Sequence, residues 1–163
     1  MSYRITPIAD EDIPGLRAAL DAVARERRYL AFLEAPPLAQ TRAFVRDMRA
    51  VRFPQFVARV GEQVVGWCDI SPLDRPVYRH CGILGIGIVA GYRGQGIGTA
   101  LLRAALKQAK EIGLKRVELT VRAPNRIAIA LYQKIGFVQE GVKRNAIYID
   151  GVYEDLVIMA LLY

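Results

Sequence analysis

The sequence of 163 residues holds only two cysteines, Cys68 and Cys81, and a single histidine, His80. The cysteines form neither a Cys-x-x-Cys pair nor a zinc-ligand spacing, which excludes a disulfide framework and a structural zinc site, and no metal is expected. Both cysteines fall in apolar, strand-like runs and read as small core residues rather than reactive thiols. No apolar run approaches the roughly 18 residues that cross a bilayer, and the start, Met-Ser-Tyr-Arg-Ile-Thr-Pro, lacks the apolar stretch of a secretory signal. Repeats, linkers and low-complexity segments are also missing. The expectation is one domain over residues 1–163, away from membranes and cytoplasmic, with 53% apolar residues to build its core.

Charge of one sign is in short supply. Against 23 lysines and arginines stand 16 acidic residues, a net charge of +7. Such a surplus suits a nucleic acid or a smaller phosphorylated ligand. The basic residues are spread along the chain, dense only at Arg25, Arg27 and Arg28, and they do not alternate with aromatics as a base-stacking surface requires. A small phosphorylated partner is therefore preferred, with a basic nucleic-acid-binding module kept as an alternative.

Glycine, in contrast, is concentrated. The run Ile83-Leu-Gly-Ile-Gly-Ile-Val-Ala-Gly-Tyr-Arg-Gly-Gln-Gly-Ile-Gly-Thr99 is an apolar strand, a glycine-rich loop and a helix start in succession. Leu84, Ile86 and Ile88 share one face of the strand, while Gly85 and Gly87 leave the opposite face without side chains, open to another backbone or a ligand. In the loop, Arg93, Gly94, Gln95, Gly96, Ile97 and Gly98 combine a cation with backbone free to approach an anion closely. The N–H groups of the first helical turn add donors and positive potential. Thr99 stands where a dinucleotide fingerprint needs its last glycine, and the Gly-Lys-Ser/Thr of a Walker loop is absent.

Around this run the chain alternates strands and helices. Tyr3 to Ile8 reads as a strand; a helix capped by Asp10 then runs to about Arg28, with Ile13, Leu16, Leu20, Val23 and Ala24 at helical spacing and Pro14 in its first turn. Pro36 and Pro37 separate it from a second helix with Phe44, Val45 and Met48 inward. Gln55–Val60 and Gln63–Ile70 form a hairpin turning at Gly61-Glu62. After the glycine loop come a broadly apolar helix ending at Gly113, a strand over Arg116–Val121, and a short helix capped by Asn125 and ended by Gly136. Strands from Phe137 onward then turn at Asp150-Gly151.

Arg93-Gly-Gln-Gly96-Ile-Gly98 matches the acetyl-CoA pyrophosphate loop of the GCN5-related N-acetyltransferase (GNAT) family. Asn125, Ala128, Leu131, Tyr132, Gly136 and Phe137 match a second motif of that family in the right order. From about Tyr3 to Met159 the chain resembles this family, and its tail from Tyr148 to Met159 is similar to bacterial L-amino acid N-acetyltransferases and Rim-type acetyltransferases. The resemblance implies an α/β fold, α+β in some schemes. Its centre would be a mixed, mostly antiparallel sheet with splayed fourth and fifth strands, flanked by helices.

It also implies an acetyl-CoA-dependent N-acetyltransferase that moves acetyl from a thioester to a primary amine in a ternary complex. Ile86, Gly87 and Ile88 would pair with the pantetheine arm, Arg93 through Thr99 would hold the pyrophosphate, and Asn125 would hold the arm or serve as a plain helix cap. An N–H near Ile88 would polarise the thioester carbonyl. Tyr132 matches the family's general acid, whose phenol would protonate the departing sulfur; as a core tyrosine it needs no such role.

Tyr29 and Phe32, in the apolar segment between the first two helices, either wall the acceptor site or pack the helices together. His80 is either a group near the acceptor amine or a positioned structural histidine. Asp69, His80, Glu118 and Asp155 remain unranked as the base. The expected acceptor is an amino acid or small amine, with protein N-terminal or lysine acetylation, and a non-catalytic CoA-binding sensor, as alternatives. The oligomeric expectation is monomer or homodimer.

Overall fold

The computed structural model describes residues 2–163. Seven strands form one sheet: β1 (Arg4–Pro7), β2 (Gln55–Val60), β3 (Gln63–Pro72), β4 (Cys81–Ile88), β5 (Arg116–Arg122), β6 (Val138–Ile149) and β7 (Val152–Leu162), in the order β1-β2-β3-β4-β5-β7-β6. Four helices cover it: α1 (Ile13–Arg25), α2 (Leu38–Ala50), α3 (Ile97–Glu111) and α4 (Arg126–Ile135).

Each face of the sheet buries a different helical layer. Ile97, Leu101, Leu102, Ala105, Leu106 and Ala109 recur at helical spacing on α3 and pack with Leu84, Val117 and Leu119. On the opposite face, Ile13, Leu16 and Val23 of α1 and Val45 of α2 meet Val57, Val64 and Trp67. Burial of each large aliphatic side chain contributes about 1.5–3 kcal/mol, so these two layers hold the helices to the sheet. Cys68 and Cys81 are both buried, and burial pushes both thiols up.

Three local expectations are corrected. The first helix does not start at an Asp10 cap: a short 3-10 turn covers Asp10–Asp12, and the acid that organises the entry is Asp12. Asp12 accepts the Ala9 N–H at 2.8 Å and the Arg59 Nε–H at 2.7 Å, which ties the helix start to β2. That helix ends at Arg25, because Arg27 adopts a positive φ of 61° and turns the chain out. Phe44 lies 41% exposed rather than inward, while Val45 and Met48 are buried as their spacing requires. At the other end of the chain Asp150 and Gly151 take φ of 51° and 76°, the left-handed pair of a tight hairpin.

The pairing of β4 and β5 positions the site. It is the one parallel contact in the sheet among the described residues, and it holds only Cys81, Gly82 and Ile83 against Arg116, Val117 and Glu118. Beyond Ile83 the two strands part. β4 stays bonded to β3 through Ile88, and β5 to β7 through Arg122, so a gap opens between two well-anchored strands.

Candidate active site

The gap leads into a cleft of about 570 Å³, within the range that holds small ligands. Ile86, Gly87, Ile88, Arg93, Gly94, Gly96, Gly98, Thr99, Asn125 and Tyr132 all line it, so the two sequence motifs converge on one wall each. Val89 N–H bonds the Val65 carbonyl at 2.9 Å. The alternation of an antiparallel ladder therefore turns the N–H and C=O of Ile86 and Ile88 to the other edge of β4, toward the gap. The Ile88 carbonyl is taken by Arg93 Nε–H at 2.8 Å. The Ile86 groups and the Ile88 N–H remain as a strand edge without a partner strand.

At the mouth of the cleft, Gly94 and Gly96 take φ of 73° and 84°. That left-handed geometry aims successive backbone N–H groups into one concavity at the start of α3. Such a cradle with no side chain in it fits a pyrophosphate, and the unpartnered strand edge behind it fits an extended amide-bearing arm. Gln95 and Ile97, which the loop motif places in the site, do not line the cleft. Gln95 Nε2–H bonds the Gly91 carbonyl at 3.1 Å, and Ile97 is 1% exposed in the core.

Arg93 faces the cleft without being a free cation. Its Nη1–H and Nη2–H meet the two Glu26 carboxylate oxygens at 3.0 and 2.6 Å, and its guanidinium lies 4.6 Å from the centre of the Tyr29 ring. The Glu26 hydrogen bond raises its pKa. It braces the end of β4 against the end of α1.

Asn125 does cap α4, its Oδ1 accepting the Ala128 N–H at 3.2 Å, and it also lines the cleft. Both of the roles open in the sequence are sterically available to it. Tyr132 is buried among core residues with its ring 5.9 Å from that of Phe137, and burial pushes its phenol well up, so it holds its proton at neutral pH.

Tyr29 lines the cleft, whereas Phe32 and His80 do not. Phe32 is 53% exposed, which removes the packing explanation for it without bringing it into the cleft. His80 precedes β4 at its closed end, where its carbonyl accepts the Lys115 and Arg116 N–H groups at 2.9 and 3.1 Å and its Nε2 sits 3.3 Å from Cys81 Sγ. The structure thus places it with the strand pairing rather than with the gap. Val23, Ile127, Ala128 and Leu131 also line the cleft, outside the residues the sequence singled out for binding. Ile127 carried a signal in the sequence, being apolar yet off the Ala128, Leu131, Tyr132 and Ile135 stripe of its helix; in the fold it is 87% exposed.

A model of the acetyltransferase (GNAT) family matches residues 18–137. The chain belongs to the GNAT acetyltransferase family. It is 37% identical over 126 residues to an N-alpha-acetyltransferase of Sulfurisphaera tokodaii, covering 72% of this chain and 74% of that one. It is 33% identical over 107 residues to the L-amino acid N-acetyltransferase AaaT of Escherichia coli, covering 65% of this chain and 66% of that one. Its fold superposes on the yncA protein of Salmonella typhimurium, solved with its cofactor acetyl-CoA, with a TM-score of 0.93 at 15% identity over 99% of this chain and 94% of that one. As a GNAT enzyme it is an acetyl-CoA-dependent N-acetyltransferase.

Proposed function

We propose that the acceptor is the α-amine of an amino acid or another small amine. The observation that carries this reading is a clasp between the α1–α2 segment and the β6–β7 hairpin. Arg27 Nη2–H bonds Asp150 Oδ1 at 2.9 Å, and Arg122, only 4% exposed, donates to the Arg27 carbonyl at 3.0 Å while its Nε–H and Nη2–H meet both Glu154 oxygens at 2.6 and 2.8 Å. Arg27 lies two residues from Tyr29 of the cleft wall and Arg122 ends β5, so the tie runs beside the open end of the gap and leaves less room there for a long chain than for a small molecule. The tie also engages Arg27, and Arg25 is paired with Asp21 at 2.8 Å, so the dense basic patch is largely neutralised.

In this reading acetyl-CoA lays its pyrophosphate on the Gly94–Gly98 backbone and its arm along the Ile86–Ile88 edge. The Ile88 N–H supports the thioester oxygen as negative charge develops on it. Tyr132, protonated and facing the cleft, gives its proton to the sulfur as the C–S bond breaks.

The similarity to an N-alpha-acetyltransferase supports a second reading, in which a protein N-terminus enters. Release of CoA thiol with a panel of free amino acids, simple amines and short peptides tests both. Turnover of free amino acids at least tenfold above the matching peptides is expected; the reverse order overturns the small-acceptor reading.

A further inference from the structure

Asp69 on β3 stands at the point where the sheet opens. It pairs with Gly85 of β4, and its Oδ1 and Oδ2 lie 3.6 and 3.8 Å from where a Cβ on Gly85 would be. Gly85 is two residues past Ile83, the last residue of β4 bonded to β5. On the far side of the gap a continued register would set exposed Thr120. Among the described residues the Asp69 carboxylate oxygens are the only atoms, chain neighbours aside, within 4 Å of the Cβ position on Gly85, although Asp69 itself does not line the acetyl-CoA cleft.

This face is also the one opposite the α3 layer. Ile83, Gly85 and Gly87 point there by the strand period; the Trp67 ring covers Gly87, contrary to the open face expected from the sequence, but Ile83 is 42% exposed, so the face is open on the Ile83 side of Asp69. An amine entering from this side passes Gly85 at the apex of the gap on its way to the thioester, which the Gly94–Gly98 cradle and the Ile88 N–H hold three residues, about 10 Å, farther along β4. We infer that Asp69 is the general base that takes the proton from the acceptor ammonium past Gly85, through water that bridges this distance. The inference rests on the acetyltransferase reading of the cleft.

The surroundings of Asp69 suit that task. Asp69 lines a small cavity together with Ile8, Leu16 of α1, Phe44 of α2, Gln55, Phe56 and Val57 of β2, and its own neighbours Trp67 and Cys68. None of these is a cation, and among the described residues no ion pair holds the carboxylate. Burial raises its pKa to about 7, with the Ser71 hydroxyl pulling the other way. Glu118, on β5 opposite Ile83 where the strands are still paired, is tied at 2.9 Å to Arg116, which also binds Glu140. A carboxylate held by a guanidinium is a poor proton acceptor, whereas an unpaired one near neutrality is matched to an ammonium.

The balance is closed within the reaction. The ammonium gives one proton to the Asp69 carboxylate, and the free amine lone pair forms the C–N bond to the acetyl carbon. The C–S bond breaks with its electron pair on sulfur, and the second amine proton replaces the one that sulfur receives. Asp69 returns its proton to solvent.

The test compares wild type, Asp69→Asn and Asp69→Glu for CoA release from about pH 5 to 9, with acetyl-CoA affinity by calorimetry and thermal melting alongside. Expected for wild type is a rise in kcat through pH about 7, where Asp69 titrates. Asp69→Asn should lose about 10²-fold in kcat at neutral pH, keep its acetyl-CoA affinity, and close the gap as pH nears the amine's own pKa. Asp69→Glu should recover part of the loss. A change confined to the acceptor KM would make Asp69 a binding residue and overturn the inference, as would kcat within threefold of wild type at all pH. If Asp69→Asn failed to fold, the wild-type profile alone would decide: no limb near neutrality overturns the base. Wild type inert toward the whole panel would instead overturn the enzymatic reading, and this inference with it.

Discussion

Arg93 and Glu26 face each other as a two-pronged ion pair, at 3.0 and 2.6 Å, across the junction of α1 and the glycine loop. The guanidinium that the sequence offers to a phosphate is thereby tethered, and the backbone cradle of Gly94 and Gly96 is left as the main anion site. Removing each partner separates the two roles. Arg93→Ala loses the brace on the Ile88 carbonyl as well as the charge, so acetyl-CoA affinity should fall by about tenfold or more and the melting temperature should drop. Glu26→Gln leaves the cation without its counter-charge, so acetyl-CoA should bind as tightly or more tightly, with a steeper salt dependence. Calorimetry at two salt concentrations reads both; unchanged affinity in Arg93→Ala would remove Arg93 from the donor site.

Gly96 tests the cradle itself. Its φ of 84° lies where a β-branched residue is strained, and a Cβ there would approach the Tyr3 hydroxyl at 3.5 Å. Gly96→Val should cost about 1–3 kcal/mol of stability and abolish acetyl-CoA binding at accessible concentrations. Retention of binding in a folded variant would show that the pyrophosphate lies elsewhere.

The strand-loop-helix run was legible because its signals are local: the strand period, left-handed glycines and a helix start all fall within the stretch from Ile83 to Thr99. The hairpin at Asp150-Gly151 and the cap at Asn125 were legible for the same reason. What the sequence could not show depends on partners distant along the chain. Arg93 looks free until Glu26 is folded against it, and His80 looks available until β5 closes on its carbonyl. Asp69 could not be ranked among the possible bases because its lack of a cation depends on what α1, α2 and β2 bring to its cavity rather than on its neighbours in sequence. The Asp10 cap failed because Asp12 found Arg59, a contact made 47 residues away.

Phe32 is 53% exposed in the segment between α1 and α2, which hydrogen bonds from Arg17 to the Pro36 carbonyl and from the Ala35 N–H to Asp21 hold in shape. Its truncation should leave the melting temperature within about 1 °C, since an exposed ring contributes little to folding. If the segment meets the acceptor, Phe32→Ala raises the acceptor KM or reorders the preferred amines and leaves acetyl-CoA affinity alone. Unchanged kinetics across the panel would take Phe32 out of acceptor selection.

Stability should respond to pH in two separate windows. Between about pH 4 and 7 the folded protein holds a proton on Asp69 that the unfolded chain has lost, because burial raises that pKa from 3.8 to about 7. Stability therefore falls as pH rises through this window and levels off above it; Asp69→Asn should flatten the trend. Glu154 acts with opposite sign. The Arg122 hydrogen bond lowers its pKa, so its contribution is present above the ordinary glutamate value of 4.5 and is lost as pH falls through the lowered one. Melting curves across pH for wild type, Asp69→Asn and Glu154→Gln would separate the windows, and a wild-type curve that rises monotonically from about pH 4 to 8 would contradict the first.

Tyr132 and Asn125 lie seven residues apart, close to two helical turns, and both reach the same cleft. One ligand can therefore touch both. The Tyr132 ring is fixed by its contact with Phe137, 5.9 Å between centres, so the hydroxyl alone can be removed without disturbing the packing. Burial raises the phenol pKa, which keeps the proton in place at neutral pH and leaves it to be given only to a strong base such as a departing thiolate. Tyr132→Phe should thus change stability and acetyl-CoA affinity little while turnover falls by about 10²-fold or more, the usual loss when a general acid is removed. The defect should shrink with acetyl donors whose leaving thiol is more acidic, because such a thiolate departs without help. Steady-state kinetics across pH, with thioesters of graded leaving-group acidity, measure this. A kcat within about threefold of wild type for every donor, when chemistry limits the rate, would reduce Tyr132 to a packing residue and leave protonation of the sulfur to water.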